Sequence, residues 1–472
     1  MKRTILFSMA TALAITGAAI GPAAGDDPDD PAPRSLAVTV YNDDLGLVRD
    51  QRRIGLERGV FTLPFRDVAS RIDPTSVAFR SLGHPGAVDV LEQNYEYDLL
   101  TPASLLEKYV GERVTLVTPV DGGEVAVEAT LLSVEGGTVY QIGDSIALNP
   151  PGRVVLPRIK GDLKATPTLM WTLRSDRAGG EPVEVSYLTG GLSWKADYVA
   201  TLSEEGRRLD LGGWVTLKNQ SGATYPDARL KLVAGDIHRA SRESRGRVRE
   251  VLAEAAMAAD ASSFEERTFY EYHLYDLPRP TTIKQNQTKQ IRLLEGAGVE
   301  TEKIYRLHGA SGYYTSRYGG EKNLKVGVYQ AFDNREDNGL GMALPAGVVR
   351  LYQADTDGTL QLVGEDRIDH TPKDERVLLK VGEAFDVVAD RRQTAFDVVA
   401  SGHVWEAAFE VEVRNHKEED VTVRVIEPLP GDWELLSSTH DHEELDAFTV
   451  RFDVPVEASG ETTLRYRFRV RY

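Results

Sequence analysis

The 472-residue chain contains no cysteine. Disulfides, thiol nucleophiles, cysteine-ligated zinc and a lipid anchor on an N-terminal cysteine are therefore excluded. Stability has to come from burial, and a chain of this length has room for roughly two to four cores. Beyond residue 25 no apolar stretch reaches the ~20 residues that carry a helix across a bilayer. The signatures of common catalysts are missing as well: no G-x-S-x-G elbow, H-E-x-x-H pair, Walker loop, S-x-x-K or G-x-G-x-x-G occurs. Positive charge is in short supply, with 55 Lys and Arg against 73 Asp and Glu and a net charge of −18. Such a balance repels phosphate backbones and anionic lipid, which argues against a nucleic-acid partner. A local basic run, Arg239 to Arg249, is interleaved with Glu243 and followed by Glu250, and reads as a solvated loop and helix edge.

What is present begins with a sorting signal. Lys2 and Arg3 precede an apolar stretch from Ile5 to Ile20, then Gly21-Pro22-Ala23-Ala24-Gly25, then Asp26-Asp27-Pro28-Asp29-Asp30. A basic start, a short apolar run and small residues before a polar segment form a secretory signal peptide over 1–25. Residues 26–34, rich in Asp, Pro and Ala, read as a disordered leader. The expected location is periplasmic or extracellular, with no integral membrane segment in the mature chain. Losing Lys2 and Arg3, and no acid, takes the charge from −18 to −20.

From Ser35 the dominant pattern is period two, the mark of half-buried strands. SLAVTVY and LGLVRDQRRIGL, joined by Asn42-Asp43-Asp44, read as a hairpin at the start of a β domain over 35–100. Residues 101–160 read as a small β unit: Thr101-Pro102 caps a short helix, and five short strands follow, as in a small barrel. A central β domain over 165–400 carries longer alternating runs, with Trp194 and Trp214 at inward positions. Its helical excursion, 241–267, is rich in Ala and Glu. Residues 401–472 have the pattern of a compact β-sandwich. VTLKNQ (215–220) and VEVRNH (411–416) echo one another, an alternating strand ending in a basic residue plus Asn. The fold class is mainly β: a multidomain antiparallel β-sandwich architecture with a barrel-like insertion and a short helical excursion.

Several motifs carry a family resemblance: YNDDLGLVRD (41–50), IDPTSV (72–77), NPPGRVVLP (149–157), GLSWKADY (191–198), GGWVTLKN (212–219), LVAGDIHR (232–239), YHLYDLPRPTTIKQNQTKQIRLL (272–294), LPAGVVRLY (344–352) and DHTPKDERV (369–377), which leads to FDVVADRRQT (385–394). The chain resembles the exported bacterial proteins grouped as domain of unknown function 4139. Some relatives carrying this domain are mucoidy inhibitor-like proteins, with a long coiled coil between an N-terminal β domain and the main one. Here the small β unit stands in that place. The resemblance implies no catalytic residues.

Three polar clusters remain. His370 with Asp366 and neighbouring carboxylates could bind a metal or do acid–base work; alternation puts Asp366 and His370 on one face of an extended chain. His440-Asp441-His442 places two imidazoles at i and i+2, at a hairpin tip where a solvated loop is the simpler reading. DNREDNG (333–339) fails the calcium-loop template, because Pro345 stands where a bidentate Glu belongs, and reads as a turn. Tyr-rich segments, FYEYHLY (269–275) and GYYTSRY (312–318), are candidate recognition surfaces, and Tyr313, Tyr314 and Tyr318 are the binding candidates. No metal site and no cofactor is expected. The expected function is a non-enzymatic binding or scaffold role with a protein or glycan of the cell envelope. The alternative is a metal-assisted or acid–base hydrolase acting on an envelope polymer, with His370 and Asp366 at its site.

Overall fold

A computed structural model describes residues 34–96, 101–120, 123–158, 166–235, 264–400 and 402–471. The expected signal peptide (1–25), all of the expected leader but Arg34, and residues 241–263 of the expected helical excursion lie outside them. The end of that excursion is extended instead: Glu265–Phe269 is a strand, paired in a hairpin with Tyr272–Asp276.

Residues 35–96 find most of their strand partners beyond residue 165. Ser35–Tyr41 pairs antiparallel with Gly46–Leu56 and parallel with Tyr225–Ala234. Gly46–Leu56 pairs on its other side with Gly179–Thr189. With Ala78–Ser81, Thr281–Ile283 and the Glu265 hairpin these strands make an eight-stranded sheet. Gly59–Arg66 and Val88–Glu96 flank Thr168–Ser175 in a sheet of three.

Among the described residues, the strands of 101–158 pair only with one another. Thr101 caps the helix Pro102–Lys108, its hydroxyl oxygen accepting the Ser104 N–H at 3.0 Å. Five strands follow, and the sheet is open rather than a closed barrel, with Arg153–Val155 and Ser145–Leu148 as its edges. A small core of Tyr109, Val114, Leu116, Ala129, Leu131 and Tyr140 holds it.

The remaining sheet has thirteen strands, and two of them are unusually long. Gln287–His308 pairs with Arg208–Asn219 along its first part, then with Glu321–Asp333 and Val421–Pro428. Arg376–Ala400 pairs with Glu321–Asp333 and then with Val404–Asn415, so strands before and after residue 401 belong to one sheet. Two cores result. One gathers apolar residues between Leu36 and Leu379, the other between Tyr305 and Val470. Both long strands contribute to each: Ile291 and Leu379 to the first, Leu307 and Val387 to the second.

Strict alternation decides which side chains enter. In Arg208–Asn219, Leu209, Leu211, Val215, Leu217 and Asn219 are buried. Trp214 is one residue out of phase, so it lies on the other face, half-buried under the Arg292 guanidinium, and not in the core. Trp194 is in the core, its indole N–H donating to the Val233 carbonyl at 3.1 Å across the sheets.

The Asn echo is an architectural repeat. Asn219 donates to the Ala223 carbonyl at 2.9 Å and accepts the Ser221 N–H at 3.0 Å. Asn415 donates to the Glu419 carbonyl at 2.8 Å and accepts the Lys417 N–H at 3.0 Å. After the first corner, Tyr225–Ala234 pairs with Thr281–Ile283, and Gln287–His308 returns beside the starting strand. After the second, Val421–Pro428 pairs with Thr449–Val456, and Glu461–Arg471 returns beside Val404–Asn415.

Candidate functional site

His370 follows the strand Leu360–Ile368, in a turn tied by reciprocal hydrogen bonds between Leu344 and Thr371. The Ala346 N–H donates to His370 Nδ1 at 3.1 Å. His370, His273, Tyr275, Glu271 and Pro372 line a cavity of about 190 Å³. That is below the roughly 300–1,000 Å³ of ordinary ligand pockets. His273 Nδ1 sits 2.6 Å from Glu266 Oε1, and Glu266 Oε2 accepts the Ala343 N–H at 2.8 Å. Tyr275 donates to the Ala343 carbonyl at 2.9 Å, and burial pushes its phenol well above the ordinary value.

Asp366 does not join His370. Its two oxygens accept the Arg367 N–H at 2.8 Å and the Lys380 N–H at 2.6 Å, fastening one strand to the next. The extended conformation ends at Ile368, so the alternation that would have put both on one face stops before His370. The imidazole–carboxylate pair near His370 is supplied by Glu266 and His273, diagonal neighbours on one face of the Glu265 hairpin. Assigning residues up to 267 to a helix hid that pairing.

In the Tyr-rich segment 312–318 one tyrosine of the three is turned into the core. Tyr314 is fully buried, in edge contact with Phe409 and Phe468, which removes it from any external binding face. Its hydroxyl donates to Glu427 Oε2 at 2.7 Å. Arg391 meets Glu427 Oε1 at 2.7 Å, with both side chains wholly inaccessible, and donates to the Tyr466 hydroxyl at 3.0 Å. Burial lifts the Tyr314 and Tyr466 phenols well above their usual value, and the Glu427 charge adds to it. Burial works to lower the Arg391 pKa, but the facing carboxylate outweighs it and the guanidinium is held charged. The Tyr313 and Tyr318 rings touch at a tilt, their centroids 4.3 Å apart, and the Arg391 guanidinium lies over Tyr313. Both are half-buried. The exposed aromatic tip belongs to the other segment, where Tyr270 is 81% accessible.

DNREDNG is a turn. Asn334, fully buried, donates to the Met342 and Pro372 carbonyls at 2.8 and 2.9 Å, and Gly339 takes a left-handed φ of 77°. His440 and His442 do not converge: His440 Nδ1 contacts the Thr439 hydroxyl, and His442 lines a separate cleft. Among the described residues no three His, Asp or Glu side chains are grouped to hold a metal.

That cleft, of about 690 Å³, is the feature missed in the sequence. It lies between Asp432–Ser438, which ends one sheet path, and His442–Asp446. Trp433, Leu435 and Phe448 supply its apolar lining; Asp432, Glu434 and Glu444 supply its charge. The Trp433 indole N–H donates to the Ala447 carbonyl at 2.9 Å and bridges the two walls. Phe448 remains 57% accessible. Neither Asp432 nor Glu444 has an ion-pair partner among the described residues, whereas Glu434 is bound by Arg469 at 2.9 Å.

The fold and these sites define a class: a multi-sheet β protein built on a repeated sandwich corner, with buried polar clusters and an open cleft at one sheet edge. Residues 183–472 match the model of the family described as Domain of unknown function (DUF4139), and the chain belongs to that family. The motifs at 41–50, 72–77 and 149–157 fall outside the matched span. No curated protein matches the chain. Among the described residues no helix is long and apolar enough to cross a membrane.

Proposed function

We propose that this protein is exported and serves the cell envelope as a binding or scaffold module. The observation that carries the reading is the employment of Asp366. Both of its oxygens hold backbone N–H groups, so one of the two acid–base candidates acts as a strand fastener. Catalysis would place many orders of magnitude of rate on a few such groups. The secretory pattern of residues 1–25 supports export. The test is complementation of a deletion strain, with protein abundance checked. Asp366→Asn and His370→Ala are expected to sustain function wherever the protein accumulates. Loss of function at normal abundance in His370→Ala would count against the reading.

One observation favours a second reading, acid–base hydrolysis of an envelope polymer. The Glu266 carboxylate orients the His273 imidazole, and His273 shares a cavity wall with His370. In that case His273→Ala and His370→Ala would each abolish function in an abundant, folded protein. The small volume of the cavity weighs against a polymer substrate.

A further inference from the structure

We infer that the cleft beside Asp432–Ser438 captures an extended, cationic polypeptide segment, which adds to that strand as the next member of its sheet. This rests on the binding reading above and names the partner it would take.

The first ground is topology. Asp432–Ser438 pairs with Glu461–Arg471 on one side and with nothing among the described residues on the other. An unpaired strand edge presents a row of N–H and C=O groups to any chain of matching length. The neighbouring strand His442–Asp446 is likewise paired, among the described residues, on one side only, with Thr449–Val456. The two free edges flank a cleft of about 690 Å³, so an added strand finds walls as well as a ladder.

The second ground is alternation. Asp432 and Glu434 are exposed, while Trp433 and Leu435 are half-buried towards Phe468 and the cleft. A strand added alongside would share this period of two. Its apolar side chains would lie beside Trp433, Leu435 and Phe448. The alternate ones would lie beside Asp432 and Glu434.

The third ground is charge. Three carboxylates line the cleft and no Lys or Arg does. Asp432 and Glu444 have no ion-pair partner among the described residues, so their charge is available to a ligand. A second copy of this chain would bring the same acidic edge, and like charges placed opposite each other disfavour that pairing. The occupant that fits is therefore a foreign segment alternating Lys or Arg with apolar residues.

The experiment titrates the full chain with a fluorescein-labelled heptapeptide, acetylated and amidated, alternating Lys with Val, and reads anisotropy. Seven residues match the length of the strand. Saturable binding is expected. It should weaken about tenfold or more in Asp432→Lys/Glu444→Lys, since reversing charges at the contact turns attraction into repulsion. Both positions are exposed, so an unchanged melting temperature will certify the fold. The same peptide N-methylated at alternate residues should bind at least about tenfold more weakly, because it cannot complete the ladder. Equal affinity for the methylated peptide, or no effect of the charge reversal, would overturn the inference. So would a neutral oligosaccharide displacing the peptide in a Trp433-dependent way, which would make the cleft a glycan site. Absence of peptide binding while His370→Ala still complements would overturn this assignment alone. Loss of complementation in His370→Ala would instead remove the binding reading beneath it.

Discussion

Asn219 and Asn415 perform the same task at the ends of two strands in different parts of the chain. Each is fully buried, each donates to the carbonyl four residues on, and each accepts the N–H two residues on. A buried polar group left without its partner costs about 1–3 kcal/mol. Asn219→Ala and Asn415→Ala are each expected to destabilise by about that amount, and thermal unfolding of the two variants measures it. An effect confined to one corner would mean the other tolerates loss of its amide.

The buried Arg391–Glu427 pair should behave asymmetrically. Removing one partner leaves an uncompensated buried charge, at a cost of about 3–5 kcal/mol. Arg391→Met is therefore expected to be severely destabilised in urea titrations. Arg391→Met/Glu427→Gln should recover much of the loss. Tyr314→Phe, which withdraws one donor from Glu427 Oε2, should fall between wild type and Arg391→Met.

Acid should weaken the first core through Glu181. Burial alone would raise this carboxyl, but the Ser81 hydroxyl and the His84 ring and backbone N–H outweigh it and hold it at about 2. A folded pKa below the unfolded value means the stabilisation is complete above the unfolded pKa of about 4.5 and is lost as pH falls towards 2. Wild type should therefore lose stability more steeply than Glu181→Gln between about pH 4.5 and pH 2. Parallel acid limbs in the two proteins would refute this.

Residues 101–158 should be removable. Their strands pair only with each other, and the flanking Glu96 and Thr168 are cross-strand partners. A short turn of a few residues between them is expected to leave the melting temperature of the remainder nearly unchanged. The opposite holds for a fragment limited to residues 183–472. It would strip Gly46–Leu56 from Gly179–Thr189 and Ser35–Tyr41 from Tyr225–Ala234. Circular dichroism of that fragment should show no cooperative melt.

The alternation of residues 209–217 was enough to reveal a strand and its buried face, and the repeated Lys or Arg plus Asn marked both corners. Trp214 shows the limit of that reading: a large aromatic among apolar neighbours invites a core assignment, but its parity belongs to the other face. Partners were not legible at all. Nothing local in SLAVTVY announces a parallel neighbour at Tyr225–Ala234, because pairing over that distance is decided by the whole sheet. Tyr314 was ambiguous for another reason. Tyr suits a recognition loop and a buried hydrogen bond equally well, and the acceptor that decides between them, Glu427, lies far along the chain. The cleft at Trp433 was obscured because each of its walls alone reads as an ordinary short strand.

Gln287–His308 and Arg376–Ala400 each thread through both cores. Neither half can therefore melt without releasing chain that the other half needs. Despite their two separate apolar interiors, these two halves should melt in a single calorimetric peak, leaving only residues 101–158, with a core of their own, free to melt apart.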